Sequence, residues 1–409
     1  MTIRPLTALA RDLALARQGG AFGAAERDAA GEIVADVRRR GDAAVLANVR
    51  RFDRPGARPA ELVADRRGIR RAADRCPPDL ARALELARAR ISAFHLRQRP
   101  RIVRRTDANG SVELIPTPLG RVGALVPRGA RSYPSTALMT GVPARVAGVR
   151  ELVVASPLPP DGELDPALAY ALRLVDADAL YRAGGAAAVA AFAYGTPRMA
   201  RVDKIVGPGN AFTTAAKWLV SADVGIDALQ GPSELIVVAS SGAKPEVLAL
   251  ELLAQAEHGS GAFAALISND SELLRATARA LRGRDVARVT LYRSRDLAAA
   301  ARAADEAASE HVLLAGPAAA RLGSAIRQAG ALFVGQRSAV AFGDYVAGSN
   351  HSLPTGGTAR WASALRVEDY LRWTSRVTLR GDLRALVRAG SAIARHEEMT
   401  FHAASLEAR

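Results

Sequence analysis

Cysteine occurs once in the 409-residue chain, at Cys76. That excludes an intrachain disulfide framework and any cysteine-built zinc cluster. Lysine is nearly absent: Lys204, Lys217 and Lys244 are the whole set, so the formal charge of +15 is carried almost entirely by arginine. Aromatics make up 5% of the chain, and no base-stacking aromatic motif or basic tail accompanies the arginines. Most arginines lie beside acids in helix-patterned stretches such as "ADVRRRGD" and "ADRRGIRRAADR". This pattern reads as a solvated surface and argues against a nucleic-acid partner. No apolar run approaches the ~18 residues that would cross a bilayer, so no membrane partner is expected and the cytoplasm is the default location. The opening "MTIRPLTALARDLALARQGG" lacks a continuous apolar core and carries Asp12. It reads as an amphipathic helix rather than a targeting peptide.

What is abundant is apolar patterning, with 49% hydrophobic residues, enough for two or three domains with cores of their own. Residues 24 to 97 read as consecutive helices, with apolar positions recurring every three and four residues in "AAERDAAGEIVADVRRRG" and "PPDLARALELARARISAFHLRQ". From about 120, short β-branched runs alternate with helical patterns. The runs are "RVGALVP", "RELVVAS", "VDKIVG", "ELIVVAS", "FAALIS", "RVTLYRS", "HVLLAG" and "ALFVG". Such alternation predicts an α/β fold with two doubly wound, Rossmann-like parallel sheets. After residue 360 the pattern returns to helix.

Six histidines are present, and three stand in polar company at element ends. In "LLAQAEHGSG", Gln255 and His258 are three apart and share a helical face. A neutral imidazole and an amide oxygen there make half of a zinc site; a histidine interacting with the helix dipole is the plainer alternative. In "AASEHVLLA", Glu310 and His311 place a carboxylate beside an imidazole where a helix runs into a strand, a pairing suited to acid–base work. "FGDYVAGSNHSLPTGG" strings Asp344, Tyr345, Asn350 and His351 along a glycine-rich loop that a metal or ligand would order. "ARHEEMTFH" is not a metalloprotease helix, because His396 and His402 are six apart. On a continuous helix Glu398 and His402 would share a face. In "YRAGGAAAVAAFAYG", Gly184 and Gly185 suggest a nucleotide loop, but the third glycine and the distal acid of a dinucleotide fingerprint are missing.

Taken together, "VGALVPRGARSYPS", "VDKIVGPGNAFTTAAK", "GPSELIVVA", "LLAQAEHG", "ASEHVLL" and "GDYVAGSNHSLPT" followed by "ARWASAL" resemble the histidinol dehydrogenase family over nearly the whole chain. The resemblance implies a zinc ion on Gln255, His258, Asp344 and His402, the last from the partner of an intertwined homodimer. It implies Glu310 and His311 as the acid–base pair, and Ser233, His351 and Glu397 as substrate contacts; helix geometry alone would favour Glu398 over Glu397. The implied layout is a helical arm over 1–19, one Rossmann-like domain from 20–124 and 235–365, a second over 125–234 on the NAD side, and a helical tail over 366–409.

The cofactor side departs from the family pattern. Of the positions that touch NAD in similar enzymes, only Asn210 keeps a polar side chain, while Leu125 and Ala187 are apolar. Arg128 replaces a loop glycine and Arg131 follows, which makes both candidates for binding an anion. The expected activity is oxidation of L-histidinol or a related amino alcohol, through an aldehyde, with zinc and NAD. The alternative is a paralogue that keeps zinc, has given up NAD, and performs hydrolysis, elimination or cyclisation.

Overall fold

The computed structural model describes residues 2–18, 20–259, 261–285 and 287–409. The chain divides into two compact units, Met1–Gln98 with Leu119–Tyr370, and Arg99–Pro118 with Leu371–Arg409.

The larger unit contains two six-stranded sheets. In the first, the spatial order is Ile3–Pro5, Val289–Arg293, Phe263–Ser268, Glu234–Ala239, His311–Ala315 and Ala331–Val334, all parallel. In the second it is Val63–Asp65, Ala179–Tyr181, Glu151–Ala155, Arg121–Leu125, Lys204–Val206 and Gly225–Ile226. Here only Val63–Asp65 runs antiparallel. Counted from its central strand, each sheet runs 3-2-1-4-5, with one extra strand added at the edge beside strand 3. Helices follow the strands and cover both faces, so the central strands are buried throughout: all six residues of Glu234–Ala239 and of Phe263–Ser268 are buried, and all but Glu234 and Ser268 are apolar. All eight runs read as strands in the sequence are strands here.

The domain boundaries need correcting in three places. The arm over 1–19 is not purely helical. Ile3–Pro5 pairs with Val289–Arg293, and Leu9 and Leu13 of the helix Leu9–Ala16 bury in the core of the first sheet. Part of 20–124 packs with the second sheet rather than with 235–365, and 99–118 belong to the smaller unit. Val34, Val37, Val45 and Val49, on the helices Ala24–Arg40 and Asp42–Phe52, enter one core with Phe192 and Ile205 of the second sheet's layers, and Arg121–Leu125 is the central strand of that sheet. The tail over 366–409 is not wholly helical, because Leu371–Leu379 is a strand.

That strand belongs to the smaller unit, a three-stranded antiparallel sheet in the order Leu371–Leu379, Gly110–Pro118, Val103–Asp107. Its buried Glu113 is held between Arg104 and Arg376, each donating Nε–H to a carboxylate oxygen at 2.5 Å. Burial resists ionisation, but the two guanidinium groups win and hold the Glu113 carboxyl below its ordinary range. Two helices complete the unit, Arg384–His396 and Thr400–Glu407. Among the described residues, no helix is long and apolar enough to cross a membrane.

Candidate active site

Helix direction explains why distant motifs meet. The helix Pro245–Ala256 leaves the C-terminal end of Glu234–Ala239 and runs back, bringing Gln255 and His258 to the edge of the first sheet where its strands begin. Ser233 and Glu234 lie at that edge. So do Glu310 and His311, since His311 pairs in register with Leu235. After Ala331–Val334, the helix Val340–Tyr345 delivers Asp344, and His351 follows.

The acid–base pair is tightly built. Glu310 Oε2 accepts hydrogen bonds from Ser233 Oγ at 2.5 Å and from the Glu234 N–H at 3.0 Å. His311 Nδ1–H donates to the Glu234 carbonyl at 3.2 Å, and Nδ1 lies 3.5 Å from Glu310 Oε2. This arrangement leaves Nε2 of a neutral His311 as the free basic nitrogen. Burial pushes the Glu310 carboxyl above its ordinary value, against the opposing pull of His311, Ser233, the Glu234 N–H and His258. Ser233, expected on the substrate, is thus also an anchor for Glu310. Beneath the pair, Arg17 grips the Glu234 carboxylate with Nε at 2.6 Å and Nη2 at 2.7 Å, and also donates to the Ala307 carbonyl at 2.8 Å.

His351 has both ring nitrogens engaged: Nδ1–H donates to the Asp344 carbonyl at 3.1 Å, and Nε2 accepts from Thr136 Oγ1 at 3.3 Å. Burial lowers its pKa; the Asp344 carboxylate opposes that, and His311 and His258 reinforce it. His258, His311, His351, Asp344 and Glu310 therefore lie within electrostatic reach of one another. Asn350 pins the loop by donating to the Met139 carbonyl at 2.7 Å and accepting from the Ser352 N–H at 2.9 Å.

The donor set fits a cation. Gln255 is buried, and its side-chain amide nitrogen has no hydrogen-bond partner. A buried unpaired amide nitrogen is costly; with the amide turned so that its oxygen takes that place, the oxygen would be free to coordinate a cation. His258 is exposed on the turn after the helix and Asp344 is half-buried. Among the described residues, no three His, Cys, Asp or Glu side chains form a metal-holding group. His258 and Asp344, beside Gln255, leave room for a further ligand. His402 and Glu397 belong to the smaller unit, where both are exposed. The chain breaks between its two helices there and Glu398 has φ +58°, so Glu398 and His402 do not share a helical face.

Several contributors were not legible as site residues. Arg17 and Thr136 carry no motif. Glu251, one turn before Gln255 on the same helix, is a buried carboxyl raised by burial and by the nearby Asp344, with Oε2 accepting the Val340 N–H at 3.1 Å. An acid four residues before a metal-ligand candidate was the signal available for it.

On the second sheet, Leu125 and Ala187 are buried in the apolar core and offer no polar group. Gly184 is needed because a Cβ there would sit 2.5 Å from Pro157 Cγ, and Gly185 has φ +60° with open space beside it. Asn210 caps the helix Ala211–Val220, its Oδ1 accepting from the Thr213 N–H at 3.0 Å.

The family model for histidinol dehydrogenase matches residues 21–409. The chain belongs to the histidinol dehydrogenase family. It is 43% identical to histidinol dehydrogenase of Ruegeria pomeroyi over 393 residues, covering 92% of this chain and 90% of that one. It is also 43% identical to that of Cereibacter sphaeroides over 394 residues, with the same coverage. The crystal structure of histidinol dehydrogenase from Elizabethkingia anophelis superimposes with a TM-score of 0.87 at 27% identity, covering 93% of this chain and 91% of the other. Membership in the histidinol dehydrogenase family makes the chain an enzyme, an oxidoreductase.

Proposed function

We propose that the protein oxidises L-histidinol, or a close amino alcohol, to the amino acid in two steps, with a nicotinamide dinucleotide as oxidant. The observation that carries this reading is the Glu310–His311 pair, fixed by Ser233 and Glu234 on the same sheet edge as Gln255, His258, Asp344 and His351. His311 Nε2 takes the proton from the alcohol as hydride leaves carbon, giving the aldehyde. Glu310, raised by burial, takes a proton from the water that adds to the aldehyde. Loss of a second hydride and proton from the hydrate gives the acid. The dinucleotide supplies the hydride acceptor, and Asn210 offers it a polar contact at the second sheet.

Gln255, His258 and Asp344 would hold zinc, with the partner's His402 as a fourth ligand in a homodimer. When bound, zinc supplies positive charge that favours the deprotonated alcohol. Glu397, Ser233 and His351 are assigned to substrate. The non-redox alternative is not favoured, because relatives matching nearly the whole chain carry the dehydrogenase name.

The test is turnover. Zinc-loaded protein is mixed with L-histidinol and NAD⁺, the reduced nicotinamide is followed by absorbance, and the acid product is identified by mass. Two reduced nicotinamides per acid are expected. No turnover beside an active family member would sink the assignment.

A further inference from the structure

A second site opens at the other sheet. At the C-terminal ends of Arg121–Leu125, Glu151–Ala155 and Ala179–Tyr181, a cavity of about 580 Å³ is lined by Arg128, Arg131, Ser156 and Arg182, among others. Parallel α/β sheets bind ligands outside the carboxyl ends of their strands.

The charges around this cavity are not balanced among themselves. Arg75 pairs with Glu163 at 3.3 Å, and Arg182 donates to the Gly162 carbonyl. Asp165 is fully used, accepting from Ser132 Oγ at 2.6 Å and from the Ala167 and Leu168 N–H groups at the start of a helix. Asp161 accepts the Glu163 N–H at 2.9 Å. Arg128 and Arg131 make no ion pair within 4.0 Å among the described residues. The acid that feels Arg128, Asp53, is engaged by the Leu158 backbone. Ser156, which lines the same cavity, is 3% exposed, and its hydroxyl is buried without a hydrogen-bond partner. Two uncommitted guanidinium groups and a buried hydroxyl without a partner are what a compact dianion requires.

We propose that this cavity is a phosphate-monoester site, in which Arg128 and Arg131 carry the dianion and Ser156 donates to one of its oxygens. The phosphate has two conceivable sources: the 2′-phosphate of a dinucleotide, or the phosphoester of another small molecule. The first source rests on the dehydrogenase reading, whereas the site itself does not.

The full-length protein is titrated calorimetrically with 2′,5′-ADP, 5′-AMP and inorganic phosphate, beside Arg128→Gln, Arg131→Gln and Ser156→Ala. Binding of 2′,5′-ADP at least about tenfold tighter than 5′-AMP is expected, with that advantage lost in Arg128→Gln and weakened several-fold in Ser156→Ala. Equal binding of the two nucleotides, with inorganic phosphate still bound and still dependent on Arg128, would support the site and assign it the second source. Arg131 is exposed, so Arg131→Gln keeps the test valid should Arg128→Gln fold poorly. Phosphate and 2′,5′-ADP binding wild type no better than both arginine variants would overturn the proposal. Histidinol turnover with NAD⁺ is measured separately, so its failure would count against the dehydrogenase reading alone.

Discussion

Lys217→Met would be expected to damage both stability and binding, because one buried ammonium joins two loops of the second sheet. Lys217 and Asp227 are 1% and 4% exposed at the side chain and form an ion pair. Lys217 also donates to the Gly207 carbonyl at 3.1 Å and to Gln230 Oε1 at 3.3 Å. Asp227 in turn accepts the Gly207 and Ala228 N–H groups, each at 2.7 Å. Removing the ammonium leaves a buried carboxylate, and breaking such a pair costs ~3–5 kcal/mol. The two remaining N–H donors keep part of the charge satisfied, so the low end, about 3 kcal/mol, is the expectation. Urea unfolding gives this value from the midpoint shift at constant slope. The partner variant Lys217→Met/Asp227→Asn removes the stranded charge and should recover at least about 1 kcal/mol. The same lysine holds the loop ending in Asn210 and the segment leading to Ser233, so KM for dinucleotide should rise more than kcat falls. A single variant within about 0.5 kcal/mol of wild type, or a double variant no more stable than the single, would refute the reasoning.

Three other outcomes follow from the same kind of bookkeeping. Glu310→Gln keeps an oxygen for Ser233 and the Glu234 N–H but cannot take a proton. It should lose about 10²–10⁴ in kcat with an unchanged melting temperature, and in the wild type the acid limb of the kcat profile should lie above the ordinary 4.5 of a glutamate. Burial lifts Asp53 from 3.8 to about 6. The folded chain therefore holds a proton that the unfolded chain releases between those values, and stability falls as pH rises through the window. Discounted for the partial exposure of the group, the effect is about 1 kcal/mol; Asp53→Asn should flatten it in thermal melts at pH 4 to 7, and an unchanged slope would contradict the assignment. His258→Ala should weaken zinc binding by more than the ~10–100-fold typical of losing an outer-shell partner. Metal content after dialysis, read by elemental analysis, would remain at wild-type level if His258 were not a ligand.

How far the sequence was legible depends on the range over which each signal acts. Alternation of β-branched runs and helical periods is local, and every strand predicted from it is present. Some of the strands it missed are marked by other things. Ile3–Pro5, Val63–Asp65 and Gly225–Ile226 are two or three residues long and owe their form to a neighbouring edge. Leu371–Leu379 is exposed over almost its full length and carries no buried face to set a period. Domain membership is non-local, and here the reading failed: the apolar stripe of Ala24–Arg40 says that the helix buries a face, not which of two similar 3-2-1-4-5 sheets receives it. The Gln255, His258, Glu310, His311, Asp344 and His351 constellation was legible because each member sits in a short motif. Arg17 was not, because its carboxylate partner lies 217 residues away.

The two sheets use opposite ends of the same design, and that bears on what each can do. On the first sheet the acid–base pair lies where the strands begin, next to the returning end of Pro245–Ala256, so its chemistry is built from side chains and a carbonyl rather than from a helix N-terminus. On the second sheet the open cavity lies where the strands end, the usual place for a nucleotide or other anion. There the apolar Leu125 and Ala187 remove polar contacts from the core side, while Arg128 and Arg131 add charge at the loop. Substituting charge for hydrogen bonds makes affinity more dependent on salt, because exposed ion pairs are screened within about 8–10 Å at physiological ionic strength. Dinucleotide affinity in this protein should therefore fall more steeply with added salt than in a family member that binds through neutral side chains. Equal salt slopes measured side by side would show that the two arginines do not meet the cofactor.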